Sequence, residues 1–148
     1  MGGASPFDEF GPRTLAAVPA PANLDGDGGL TVVTAAGKVA GDVSWRWQQW
    51  GPNAGSRCPM IGIWLHPDHR GAGLGTQAQA ELVLLFFRHT RTHRVEAATD
   101  VENVAEQRAL ERAGFRREGT LREAQWRDGT YHSCHLYSRL RTDLPPGT

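Results

Sequence analysis

The sequence predicts an α/β domain, and three observations carry the prediction. The chain has 148 residues, enough for one hydrophobic core and too few for a second domain of ordinary size. Up to about residue 66 the apolar and β-branched residues come in short strand-like runs. From Thr76 onward they recur at the three- and four-residue spacing of a helix. Between the two textures lies the glycine-rich stretch His69-Arg70-Gly71-Ala72-Gly73-Leu74-Gly75-Thr76, where a strand gives way to a long helix.

Taken in order, residues 1–28 hold Pro6, Pro12, Pro19 and Pro21 and run into a cluster of Asp and Gly from Asp25 to Gly29. No helical or strand period survives there, so an irregular segment is expected ahead of a domain over residues 29–141. A strand is expected over 30–35 and a second over 39–48, joined through Ala36-Gly37-Lys38 as an antiparallel hairpin. On the second, Val43, Trp45 and Trp47 share one face and Asp42, Ser44 and Arg46 the other. A loop is expected over 50–59, then a strand over 60–66 that stops at Pro67. The helix over 76–90 buries a broad stripe through Ala78, Leu82, Leu85 and Phe86. Cationic residues crowd its end, where they suit the helix dipole. A strand over 95–99 follows. Asn103 can cap a helix over 104–113, with Glu106 three residues on and Gly114 as the stop. Strands over 115–121 and 131–140 close the domain through a turn at Arg127-Asp128-Gly129, and residues 142–148 read as a tail.

Composition removes several classes of function. Sixteen Lys plus Arg balance sixteen Asp plus Glu, so no positive excess exists to bind nucleic acid or an anionic membrane. The longest fully apolar run, residues 82–87, is far too short for a membrane span. Cys58 and Cys134 make no disulfide framework, which points to a reducing, cytoplasmic setting. His89 and His93 are spaced as metal ligands can be, but no nearby residue completes a set. His132 and Cys134 alternate across a strand with Ser133 and His135, so no metal is expected. Trp45, Trp47 and Trp64 suit either a pocket wall or the core.

The glycine turn carries the sharpest chemical signal. Gly71, Gly73 and Gly75 let the backbone approach a ligand closely, and their N–H groups with the following helix N-terminus make an anion cradle. Arg70 can add a charge-assisted contact. A nucleotide P-loop is excluded because the Lys-Ser/Thr pair is missing. A dinucleotide fingerprint needs Gly-x-Gly-x-x-Gly, whereas the spacing here is Gly-x-Gly-x-Gly, so that reading is the weaker alternative.

At Arg70-x-x-Gly73-x-Gly75 the sequence resembles the Arg/Gln-x-x-Gly-x-Gly/Ala signature of the GCN5-related N-acetyltransferases. The run from Ile61 to Arg141 looks like the branch related to ribosomal-protein alanine N-acetyltransferases. Arg94-Val95-Glu96-Ala97, Asn103, Ala109-Leu110-Glu111-Arg112-Ala113-Gly114-Phe115, Glu118-Gly119-Thr120-Leu121-Arg122 and Gly129-Thr130-Tyr131-His132 carry it onward in order. The resemblance implies a mixed, bent β-sheet flanked by helices, with a shortened N-terminal region. It implies acetyl-CoA as co-substrate, held between two splayed parallel strands. Leu65, Arg70, Gly71, Ala72, Gly73, Leu74, Gly75, Thr76 and Asn103 would bind it.

The implied reaction is direct acetyl transfer in a ternary complex to a primary amine of a small molecule or a protein N-terminus. The resemblance also allows a homodimer. This chain departs from the pattern at the acid positions: Leu110 stands where many relatives carry Tyr, and Glu106 where ribosomal-type relatives often carry Ser. Solvent, Tyr131 and Tyr137 remain as acids and Glu96, Glu118 and a water chain as bases, with none singled out, so the catalytic residues stay unknown. A non-catalytic acyl-CoA-binding domain is the rival reading.

Overall fold

The computed structural model describes Phe7 and residues 23–144. Most of the expected irregular N-terminal segment, and the final Pro145-Pro146-Gly147-Thr148, lie outside the described residues. The expected hairpin forms from β1 (Gly28–Val33) and β2 (Val39–Gln49), antiparallel and two residues earlier at its start than the sequence reading placed it. Gly28 and Gly29 enter the strand because they pair with Trp45 and Ser44, a cross-strand partnership that local propensity does not report.

The expected loop over 50–59 is shorter than predicted. A brief 3-10 turn at Ala54–Ser56 leads straight into β3 (Arg57–Leu65). Pro59 lies inside this strand, opposite Trp47 and one residue before β3 begins its pairing with β4. Proline thus misled the boundary here, because a strand tolerates it wherever no ladder bond is required of its nitrogen.

After β3 come α1 (Leu74–His89), β4 (Arg94–Asp100), α2 (Val104–Arg112), β5 (Arg116–Arg127) and β6 (Thr130–Leu140). β5 runs past the expected end at Leu121. It is carried on by bulges between Arg117 and Gly119 and between Leu121 and Gln125, with Glu123 at φ 48°. Asp128 and Gly129, both at positive φ, form the two-residue turn into β6.

The six strands form one mixed sheet in the order β1-β2-β3-β4-β6-β5, and β3–β4 is its parallel pair. α1 lies on the sheet with Leu82, Val83, Phe86 and Phe87 buried. Trp45 and Trp47 set their ring edges against Phe86 at centroid distances of 5.4 and 5.6 Å. Their indole N–H groups donate to the Gly26 and Leu24 carbonyls, so both are core residues with a satisfied polar end. Arg141, in a 3-10 turn at Arg141–Asp143, donates to the Phe87, Thr90 and Thr92 carbonyls. The cation at the end of α1 is therefore reinforced by a residue about 50 positions away.

Candidate functional site

The site begins where two strands stop pairing. β3 and β4 are in register only at Met60–Glu96 and Ile61–Ala97. Beyond those rungs they part, and a cleft of about 670 Å³ opens, walled by Gly62 to Leu65 on one side and Ala98 to Asp100 on the other. The mouth is closed on its flanks by the glycine turn, the start of α1, and α2.

Backbone direction gives the cleft its polarity. The His66 N–H donates to the Ala40 carbonyl on β2 at 2.7 Å. Successive residues in a strand aim their backbone groups at opposite edges, so the Leu65 N–H faces the cleft. Gly41 permits this closeness of β2 and β3: a Cβ there would sit 2.0 Å from the Trp64 carbonyl oxygen.

The turn is built locally. Pro67 starts a short 3-10 turn, Pro67–His69, in which His66 Nδ1 accepts the Asp68 N–H. Gly71 and Gly73 both have left-handed backbone, at φ 80° and 79°, and Gly73 caps α1 without a side-chain hydrogen bond. The first-turn N–H groups of α1 therefore meet the cleft with no capping oxygen from Gly73 in front of them. Arg70 donates through Nε to the Leu65 carbonyl at 2.8 Å and so fastens the turn to the end of β3.

Leu65, Arg70, Gly71, Gly73, Gly75, Thr76 and Asn103 all line the cleft. Ala72 and Leu74 belong to the turn but not to the cleft wall, and Leu74 packs toward the core. Asn103 also caps α2, its Oδ1 accepting the Glu106 N–H at 3.3 Å. Of the three tryptophans considered, Trp64 alone faces the cleft, 38% exposed. Sequence reasoning missed Gln79, Asp100, Arg108, Arg112 and Gln125 in the wall. A signal existed for two of them: Ala105, Arg108, Ala109 and Arg112 fall on one helical stripe.

The expected acid–base candidates lie elsewhere. Glu96 is fully buried and accepts hydrogen bonds from Trp50 Nε1 at 3.1 Å, Cys58 Sγ at 3.2 Å and Arg94 Nη2 at 2.7 Å. Arg94 also pairs with Glu118. That hydrogen bond holds the Glu118 carboxyl below its ordinary range, against the opposing effect of burial. Burial works against the Arg94 charge, yet its bonds to Glu118 and Glu96 raise its pKa overall. Burial first, and then the Glu96 hydrogen bond, push the Cys58 thiol up to about 12. Tyr137 is fully buried in the core, and Tyr131 is exposed on the β5–β6 hairpin beside Trp126. Leu110 is buried at the cleft wall and has no proton to give.

A second ionic cluster does reach the wall. Asp100 accepts from Arg127 and lies 3.6 Å from His132 Nδ1, and its Oδ1 holds the Glu102 N–H at 2.8 Å. Burial, followed by the Asp100 charge, raises the pKa of the neighbouring Cys134 thiol. Among the described residues no group of three or more His, Cys, Asp or Glu side chains gathers as a metal site.

Splayed parallel strands beside a glycine turn now meet an independent comparison. The model of the Acetyltransferase (GNAT) domain matches residues 9–116. The chain belongs to this family. Among GNAT relatives, the probable N-acetyltransferase YjcK of Bacillus subtilis is 32% identical over 84 residues, covering 57% of this chain and 46% of that protein. The ribosomal-protein-serine acetyltransferase of Escherichia coli is 30% identical over 80 residues, 54% of this chain and 45% of that one. Among solved structures, Mycobacterium smegmatis RimJ in complex with CoA-disulfide is 26% identical, with a TM-score of 0.69 over 79% of this chain and 55% of that chain. The chain spans about half the length of the curated relatives it matches.

Proposed function

We propose that this GNAT chain is an acetyl-CoA-dependent N-acetyltransferase that moves the acetyl group directly to a primary amine of a small molecule or a protein N-terminus. The observation that carries the reading is the parting of β3 from β4 directly beside a glycine turn with left-handed Gly71 and Gly73. The residues present suit such a co-substrate. A cleft of about 670 Å³ between parting strands has room for an extended pantetheine arm. The turn and the uncapped start of α1 offer N–H donors to a pyrophosphate. Acetyl-CoA supplies the activated thioester.

This chain's own groups position and polarise. Leu65 N–H, aimed into the cleft, is placed to donate to a carbonyl oxygen as negative charge grows on it. Asn103 borders the path of the arm. Trp64 borders the cleft as an exposed aromatic wall for the acceptor. Among the described residues Glu96 and Glu118 are engaged by Arg94, so the amine proton leaves to solvent rather than to either carboxylate. Orientation alone can supply a large share of such an acceleration, on the order of 7–11 kcal/mol. Two buried, unpaired cysteines fit a reducing cytoplasmic setting.

The same observation favours a second reading, an acyl-CoA-binding domain without transfer, because neither Tyr131 nor Tyr137 lines the cleft. One experiment separates the two. The chain is titrated calorimetrically with acetyl-CoA and with NAD, then assayed for thiol release against spermidine, an amino sugar and short peptides with free N-termini. Acetyl-CoA binding with release supports transfer, and binding without release supports the second reading. Preference for NAD, or no binding of either, overturns both.

A further inference from the structure

The sheet has two faces, and among the described residues only one of them carries helices. α1 and α2 bury their side chains in one cluster with Val43 and Trp45 of β2, Ile61 of β3, and Val95 and Ala97 of β4. Side chains alternate along a strand, so the sequence neighbours of these residues face the other way. On that second face the register aligns Thr31, Asp42 and Trp64 as one row across β1, β2 and β3, and all three are exposed. The next row is Gly29, Ser44 and Gly62. Neither glycine raises a side chain, and a Cβ on Gly62 would lie 3.4 Å from Ser44 Oγ. The rows make a ridge ending on Trp64 and a shallow trough beside it, and both reach the cleft through Gly62 and Trp64.

Asp42 is the chemically distinctive member of the ridge. Glu96, Glu118 and Asp100 are all engaged by arginines, whereas the Asp42 carboxylate has no hydrogen bond or ion pair among the described residues. Residues directly opposed on antiparallel strands bring their Cβ atoms to about 4.5–5.5 Å, so this carboxylate stands beside an indole that is 38% exposed. An ammonium group gains from both, by ion pairing and by contact with the aromatic face. Arg46 lies opposite Met60, on the order of 13 Å along β2, beyond the reach of effective screening of Asp42. On the other side His66, in edge contact with Trp64 at 6.2 Å, turns Nδ1 toward Asp68.

Resting on the reading of the cleft as an acetyl-transfer site, we infer that Asp42 and Trp64 bind a second ammonium group of the acceptor. The chain thereby selects amines that carry a further cation beyond the reacting nitrogen. Strands lie about 4.8 Å apart, so a cation held over β2 and β3 is on the order of 5–10 Å from an amine entering the gap between β3 and β4. That is the span of a short alkyl chain. A free alkyl diamine and a peptide whose second residue is lysine share this chemistry.

Two measurements on the full chain test the inference. The first is NMR titration with putrescine, followed at the Trp64 indole N–H, whose signal is assigned from Trp64→Phe. Both contacts are solvent-exposed, so Asp42→Asn should weaken putrescine binding about tenfold. Glu111→Gln, which removes an exposed carboxylate on α2, should leave it unchanged. The second is thiol release from acetyl-CoA, with putrescine compared with butylamine and Gly-Lys amide compared with Gly-norleucine amide. The wild type should favour the dicationic member of a pair about tenfold in kcat/KM, and Asp42→Asn should abolish the preference while sparing the monoamine. A larger ratio in the peptide pair assigns the acceptor to protein N-termini, and a larger ratio in the amine pair assigns it to free polyamines. Putrescine binding that is absent, that is unaltered in folded Asp42→Asn, or that falls equally in Glu111→Gln overturns the inference, as does a kcat/KM ratio near one in both pairs. Putrescine binding that depends on Asp42, with no thiol release from any amine, overturns the transfer reading instead.

Discussion

Replacing Gly41 with alanine should open the molecule at the place where the cleft depends on close packing. The added Cβ would lie 2.0 Å from the Trp64 carbonyl oxygen and 2.8 Å from Leu65 Cα. Ordinary carbon–oxygen contacts in sheets begin at about 3.3 Å, so β2 and β3 must separate locally by about 1.3 Å. The 2.7 Å bond from His66 N–H to the Ala40 carbonyl is adjacent and cannot survive that separation. Overpacking of this kind costs about 1–3 kcal/mol, and the lost hydrogen bond adds about 1. A total of about 3 kcal/mol corresponds to a melting temperature on the order of 10 °C lower for a chain of this size. Thermal denaturation followed by circular dichroism reads the first effect. Acetyl-CoA calorimetry on the folded variant reads the second, because Leu65 moves with β3 and its N–H loses its aim. A variant that melts within 2 °C of the wild type would refute the described approach of β2 to Trp64.

Other perturbations probe the remaining parts. Gly73→Val meets no obstructing atom, but it places a β-branched residue at φ 79°. It should remain folded, less stable by about 1–2 kcal/mol, and bind acetyl-CoA at least tenfold more weakly by calorimetry. Unchanged affinity in the folded variant would remove the turn from the anion site. With its pKa raised from 9.0 to about 12, the Cys58 thiol contributes stability that is full below pH 9 and declines as the pH climbs toward 12. At pH 8 neither Cys58 nor Cys134 should react with a disulfide reagent until the chain is unfolded, and a fast native-state reaction would contradict their burial. Glu118, lowered from 4.5 by its bond to Arg94, contributes stability present above pH 4.5 and lost as the pH falls through its depressed value. Because Glu118 is partly exposed, Glu118→Gln should flatten acid denaturation below pH 4.5 only modestly, by less than about 1 kcal/mol. A steeper acid loss in the variant would reverse the sign.

The elements that follow local rules were readable from the chain itself. α2 lies between its Asn103 cap and Gly114, as the cap and stop residues imply. α1 starts at Leu74 rather than Thr76, because Gly73 serves as the cap and the glycine turn hands over to the helix sooner. Strand ends were less legible. β3 begins at Arg57 because cross-strand partners on β2 extend it through Pro59, and β5 runs to Arg127 because bulges keep it paired to β6. Glu96 and Glu118 looked alike in sequence as carboxylates near a predicted site. Their difference comes from Trp50 and Cys58, which are brought to Glu96 from outside β4, whereas Arg94 of the same strand pairs with both carboxylates.

The sequence by itself determined the α/β class, the hairpin, the helix limits to within a few residues and the glycine turn with its backbone donors. Each of these depends on residues a few positions apart, through propensity, capping and the freedom of glycine at positive φ. Only the tertiary structure decided that β3 and β4 pair for two rungs and then separate, that Leu65 N–H faces the gap, and that Arg70 ties the turn to β3. It also decided that the Ala-Arg stripe of α2 overlooks the same cleft. The Arg70 tie spans five residues across the end of β3, and the aim of Leu65 N–H depends on Ala40 in the neighbouring strand, whereas the parting of β3 from β4 and the placing of the stripe depend on segments 30 or more residues apart. Their approach is set by the packing of α1 on the sheet and by the close contact Gly41 allows, and no local pattern encodes either.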